Sequence, residues 1–178
     1  MLNSQDYKKQ ILGELVHRFE TNHNSLADAY ALIWAIDVYA SVVWFETGRV
    51  GTEPDFKTVI EQQCEAFEII RSASNAIKHI ERRGDNVVVK SMGDIQAGSG
   101  PSYHSYFANG GNSGPSVAIT MNWEHDPETN EFTGGDGKIM VAPKSHWKTQ
   151  YLRRLYRPAI KAIEAKSAKP QKTNLSKR

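Results

Sequence analysis

The stretch Leu26 to Phe45 constrains this chain more than any other. Wound at 3.6 residues per turn, it is apolar on nearly every side. A helix of that kind belongs in the middle of a bundle, covered by its neighbours. It is also long enough to span a membrane. Asp28, Asp37 and Ser41 interrupt it, so we read it as a core helix and expect no membrane partner. Asp37 is then the anomaly. It sits among Tyr30, Ile33, Trp34 and Trp44, where a lone carboxylate is costly. The expectation is a buried, paired acid, with Arg71, Lys78, His79 or a tyrosine as partner.

Three more helical segments surround this one. Tyr7, Ile11, Leu12, Leu15, Val16 and Phe19 recur at helical spacing from about Ser4 to Glu20. Thr21 to Asn24 breaks the pattern, and Ser25 is placed to cap the core helix. After the loop Gly48 to Pro54, a third helix is expected from about Asp55 to Arg83. Phe56, Val59, Phe67, Ile70, Ala73, Ile77 and Ile80 form its apolar arc, and Gly84 ends it. A last helix is expected from Trp147 to Lys166, capped by Ser145 and interrupted by Pro158.

Between Asn86 and Ala142 the period changes. Asn86 to Ser91, Val117 to Trp123 and Lys138 to Ala142 read as strands. Residues 93–115 are rich in Gly, Ser and Asn, and His125 to Gly137 reads as a polar hairpin loop. The fold class expected is α+β: a four-helix bundle with a small antiparallel β-sheet inserted before the last helix. One domain takes residues 1–168, with helices over 4–83, the insert over 86–142 and the last helix over 145–166. Residues 169–178 are expected to form a disordered basic tail.

Composition narrows the functional classes. With 39% hydrophobic and 24% charged residues, the chain has the balance of a soluble globular protein. Cys64 is the single cysteine, which excludes an internal disulfide and a cysteine-rich zinc site. With no apolar leader among the first residues, a cytoplasmic location is the expectation. The net charge of +2 hides an asymmetry. Lys148 to Arg178 holds ten Lys/Arg against one acid, Glu164, a balance of +9, which leaves −7 for the rest. A basic end of this kind suits RNA or another polyanion.

The candidate site lies on the third helix. Arg71, Asn75 and His79 are four residues apart. With Arg71 set at zero on the wheel, Asn75 lies at about 40°, His79 at about 80° and Arg82 at about 20°. The apolar arc is centred near 250°, so the stripe faces away from the core. A guanidinium, an amide and an imidazole on one face can hold a phosphate and move a proton; they also make an ordinary solvated face. His104, His125, Asp126 and Asp136 show no metal-ligand spacing, and no cofactor loop accompanies the stripe, so neither metal nor cofactor is expected. Tyr103, Tyr106, Phe107, Trp123 and Trp147 can stack on bases or anchor the core.

The segment Arg71-Ser-Ala-Ser-Asn75-Ala-Ile-Lys-His79 resembles the Arg…His helix of the HEPN superfamily (higher eukaryotes and prokaryotes nucleotide-binding). The resemblance implies a helical bundle, a homodimer, and in many members a metal-independent endoribonuclease. His79 matches the family's His and Asn75 its polar residue. The family's Arg position falls on Ser74, with Arg71 three residues earlier. On this reading His79, Asn75 and Arg71 are catalytic, and Arg82, Lys78 and Asp37 contact the substrate. The alternative is a non-catalytic protein-binding or assembly module.

Overall fold

The computed structural model describes residues 3–80, 87–98, 116–126, 128–129, 131–134, 139–140 and 148–167. The architecture is α+β, mostly helical, with the sheet region before the last helix. Helix α1 (Ser4–Tyr7) passes through a π-helical turn (Lys8–Leu12) into α2 (Gly13–Thr21). The Asn3 side chain caps α1 by accepting from the Asp6 amide. The core helix is α3 (Leu26–Glu46), and the Ser25 hydroxyl accepts from the Asp28 amide at its start, as expected. Thr52 caps α4 (Glu53–Gln63) in the same way, with a proline in its first turn. Helix α5 (Glu65–His79) follows directly, and α6 (Leu152–Ser167) closes the body.

The expected third helix is therefore two helices. Cys64 adopts an extended conformation, φ −143° and ψ 100°, and the chain turns sharply there. Neither glycine nor proline marks the turn. The break changes the phase of the apolar arc: Ile60 is fully buried whereas Val59, assigned to the arc from the sequence, is 43% exposed. Phe67, Ile70 and Ala73 are buried as expected. Helix α5 stops at His79 because Ile80 takes a positive φ of 62°, a conformation costly for a β-branched residue. Arg82, Arg83 and Gly84, expected to finish the helix, lie outside the described residues.

The strands are shorter and more numerous than the sequence implied. Strands β1 (Ile95–Gln96), β2 (Ala118–Thr120) and β6 (Thr149–Tyr151) form one antiparallel sheet in the order β1-β2-β6. Strands β3 (Trp123–Asp126), β4 (Glu131–Gly134) and β5 (Ile139–Met140) form a second. The expected strand Val117 to Trp123 is split between β2 and β3, and the polar hairpin contributes β4 opposite β3, with His125 paired to Phe132. Val87 to Lys90 is not a strand. Its buried Val89 amide donates instead to the Ser72 hydroxyl of α5 at 2.8 Å, and the Val88 carbonyl accepts from Asn122 at 2.7 Å. Strand β6 occupies the first positions expected for the last helix and leads straight into α6. Ser145 and Trp147, and the tail 169–178, lie outside the described residues.

Helices α2, α5 and α6 pack around α3, and α6 also lies along α5. Leu32, Ile33, Ile36 and Val43 of α3 meet Phe19, Phe67, Ile70, Leu155 and Ile163 in one core. Pro158 sits within α6 without ending it. The carboxylate of Glu20, near the end of α2, accepts from Tyr156 at 2.5 Å and from Arg157, joining the first and last helical segments. Among the described residues α3 alone is long and apolar enough to cross a membrane, and half of its most apolar stretch is buried inside the fold.

The phase change at Cys64 has a direct test. Ile60→Ala should cost about 2–5 kcal/mol, the range for a truncated buried aliphatic residue. Val59→Ala, one residue earlier, should stay within about 0.5 kcal/mol. Chemical denaturation of the two variants checks this, and equal losses would contradict the break.

Candidate functional site

Two polar features meet on α5. The first is the charge cluster around Asp37, which is 2% exposed at the middle of α3. Its Oδ1 accepts from Lys57 of α4 at 2.8 Å, and its Oδ2 from Lys78 of α5 at 2.7 Å and Ser74 at 3.0 Å. Lys57, itself buried, also pairs with Glu53 at 3.0 Å, one turn earlier on α4, and Glu53 accepts from Ser41 at 2.7 Å. Asp37 and Glu53 thus balance Lys57 and Lys78, and three helices share the network. Burial pushes the Asp37 carboxyl up, but the lysine charges and their hydrogen bonds outweigh it and hold the carboxyl below its usual range. Tyr7 stacks on Tyr39 beside this cluster and donates to the Ala35 carbonyl at 3.1 Å. Its hydroxyl is pushed up to about 12 by burial, with a contribution from the Asp37 charge.

The second feature is a polar cleft of about 260 Å³ between α4, α5 and Val88, lined by Thr58, Glu61, Glu68, Arg71, Ser72 and Asn75. Arg71 is held against Glu61 at 2.7 Å, with Thr58 at 3.5 Å. Burial raises the Glu61 carboxyl; the Arg71 charge opposes this and the Glu68 charge adds to it. With two carboxylates and one guanidinium, the cleft is acidic on balance.

The structure thus brings Arg71 and Asn75 into one cleft, on the side of α5 that the wheel indicated. His79 is not among the cleft residues. It is exposed at the last position of α5, about 12 Å along the axis from Arg71. Lys78 and Asp37 come together, but as an internal ion pair. Ser74, where the resembled motif would carry its arginine, is fully buried on Asp37. Arg82 lies outside the described residues.

Sequence reasoning missed Lys57 and Glu61. Both lie on α4 and reach α5 and α3 only because the chain folds back at Cys64. Cys64 itself is half-buried, with Sγ 3.9 Å from the Pro158 carbonyl. Among the described residues no group of three or more His, Cys, Asp or Glu is placed to hold a metal ion. Trp123 is a buried core residue, whereas Tyr103, Tyr106, Phe107, His104 and Asp136 lie outside the described residues. No protein-family model matches the chain, and neither does any curated protein or solved structure.

Asp37→Ala should cost about 3–5 kcal/mol, because it leaves Lys57 buried beside a methyl group. The pH dependence follows from the lowered carboxyl. The stabilisation is complete above the unfolded aspartate value of about 3.9 and is lost as pH falls below it toward the folded value. Denaturant titrations from neutral pH down to the acid range should therefore show a steeper loss in the parent than in Asp37→Asn.

Proposed function

We propose that this protein is a non-catalytic binding or assembly module. The observation that carries the reading is that the α5 cations are engaged by the protein's own acids: Arg71 by Glu61 and Lys78 by Asp37. Stabilising the charge of a phosphoryl transition state needs donors aimed at an incoming oxyanion. Here the guanidinium already faces a carboxylate in an acidic cleft, and His79 stands outside that cleft. The Asp37 network is explained by its work inside the fold, where it fixes α3, α4 and α5 relative to one another.

The HEPN-like ribonuclease is the second reading, and one observation favours an RNA partner for the chain. Arg154 and Lys161 are exposed on one face of α6, within the segment that carries the +9 balance. Such a surface attracts polyanions with a strong salt dependence and requires no chemistry.

The two readings separate in one assay. Purified protein incubated with varied single-stranded RNAs and a chelator should leave them intact. Cleavage yielding 2′,3′-cyclic phosphate ends, and lost in His79→Ala, would overturn the module reading in favour of a ribonuclease with His79 as general acid or base.

A further inference from the structure

The guanidinium in the cleft between α4 and α5 is only partly used. Arg71 reaches Glu61 through one nitrogen, Nη1 to Oε2 at 2.7 Å, and the same nitrogen stands 3.5 Å from the Thr58 hydroxyl. A guanidinium carries five N–H donors on three nitrogens. Among the described residues nothing accepts from Nε or Nη2, and neither is sealed from solvent. Glu61 therefore orients the fork and leaves most of it open. Asn75, half-buried, lies one turn further along the same face of α5. Its side-chain amide likewise has no partner among the described residues and is not sealed off. The cleft thus offers an acceptor-seeking pair, guanidinium and amide, side by side.

Its electrostatics ask for the opposite charge as well. Glu61 and Glu68 outnumber Arg71 by one. The Glu61 carboxyl stays above its usual range although a guanidinium touches it; burial is the main cause, and the Glu68 and Asp37 charges add to it. A second cation would relieve that surplus. A lone anion would be repelled by the two acids, and a lone amine would leave Arg71 and Asn75 without an acceptor. A molecule carrying both charges meets both demands.

We infer that this cleft binds a free amino acid with a small uncharged side chain, its carboxylate on Arg71 and Asn75 and its ammonium toward Glu68. This deepens the binding-module reading, on which it rests, by naming a ligand for the cleft. Glu68, Arg71 and Asn75 are three and four residues apart, so acid, guanidinium and amide follow one another along one helix face. The ligand's two charged groups sit on neighbouring carbons and fall within one turn of that row, about 5.4 Å. A carboxylate accepts up to about four hydrogen bonds, so Glu61 and Glu68 can take an ammonium in addition to the bonds they already make. The volume of about 260 Å³ equals that of roughly nine waters at ~30 Å³ each, room for a compact amino acid. Val88 is the one apolar residue of the lining and suits a methyl or short aliphatic side chain. An acidic side chain would meet Glu61 and Glu68.

Isothermal titration of the full chain with L-alanine should show saturable one-to-one binding. Ethylamine and propionate each carry half of the charge pattern and should bind at least about tenfold more weakly, as should L-aspartate. Asn75→Ala removes no side-chain hydrogen bond of the fold. It should weaken L-alanine about tenfold while leaving the melting temperature unchanged. Arg71→Gln should remove binding, with circular dichroism checking that the helices survive the loss of the Glu61 pair. Absence of saturable L-alanine binding overturns the inference. So does ethylamine binding as tightly as L-alanine, which would make the cleft an unselective acidic surface, and so does L-alanine binding indifferent to Asn75→Ala. Intact RNA without L-alanine binding removes this ligand alone, whereas RNA cleavage lost in His79→Ala removes the module reading itself.

Discussion

The Asp37 carboxylate is the point on which the helical body depends. Two lysines from different helices and one serine converge on it from α4 and α5, while the residue itself belongs to α3. A charge at the centre of an apolar helix is tolerated only when its partners arrive in good geometry, and here they fix three helices in one register. The arrangement also dictates the chain path. Lys57 and Lys78 are 21 positions apart, so on a straight helix they would stand about 31 Å from each other. No pair of lysine side chains closes that distance onto one carboxylate. The turn at Cys64 is the backbone expression of this double pairing.

That relation explains which parts of the architecture were legible. The core helix, its Ser25 cap and the break before it are local properties, written in hydrophobicity and in the hydroxyl that precedes Leu26. The division of α4 from α5 is not local. Residues 60–68 contain no glycine or proline, and both halves carry helical periodicity. What bends the chain is the gain from burying Ile60 and Phe67 together with the pairing of Lys57, and both depend on contacts far along the sequence. The sheets were legible as a change of period, but not in detail. Strands of two to four residues carry too little alternation to set their ends.

The candidate site divides along the same line. The wheel placed Arg71 and Asn75 on a face away from the core, and the structure finds them together in a cleft. It could not reveal that Glu61 neutralises Arg71, because Glu61 comes within reach only when the helix folds back. Asp37 was legible as a buried, paired acid from its neighbours alone. Of its partners, Lys78 was among the candidates, whereas Ser74 and Lys57 emerged only from the fold.

The clasp between Glu20 and the Tyr156–Arg157 pair joins residues 136 positions apart. Helix α6 supplies Leu152, Leu155, Ala159 and Ile163 to a core that the earlier helices and the sheet region, through Val89, Ile95, Val117 and Ile119, also line. During synthesis the first five helices therefore lack the walls that the sheet region and α6 supply until both have been made. The sheet region is a closed excursion between α5 and α6, and the cost of closing such an excursion grows only with the logarithm of its length. Segments inserted there can lengthen or shorten through evolution at little cost to the body, provided Val89, Ile95, Val117 and Ile119 keep their places in the core and β6 still delivers α6 to its seat.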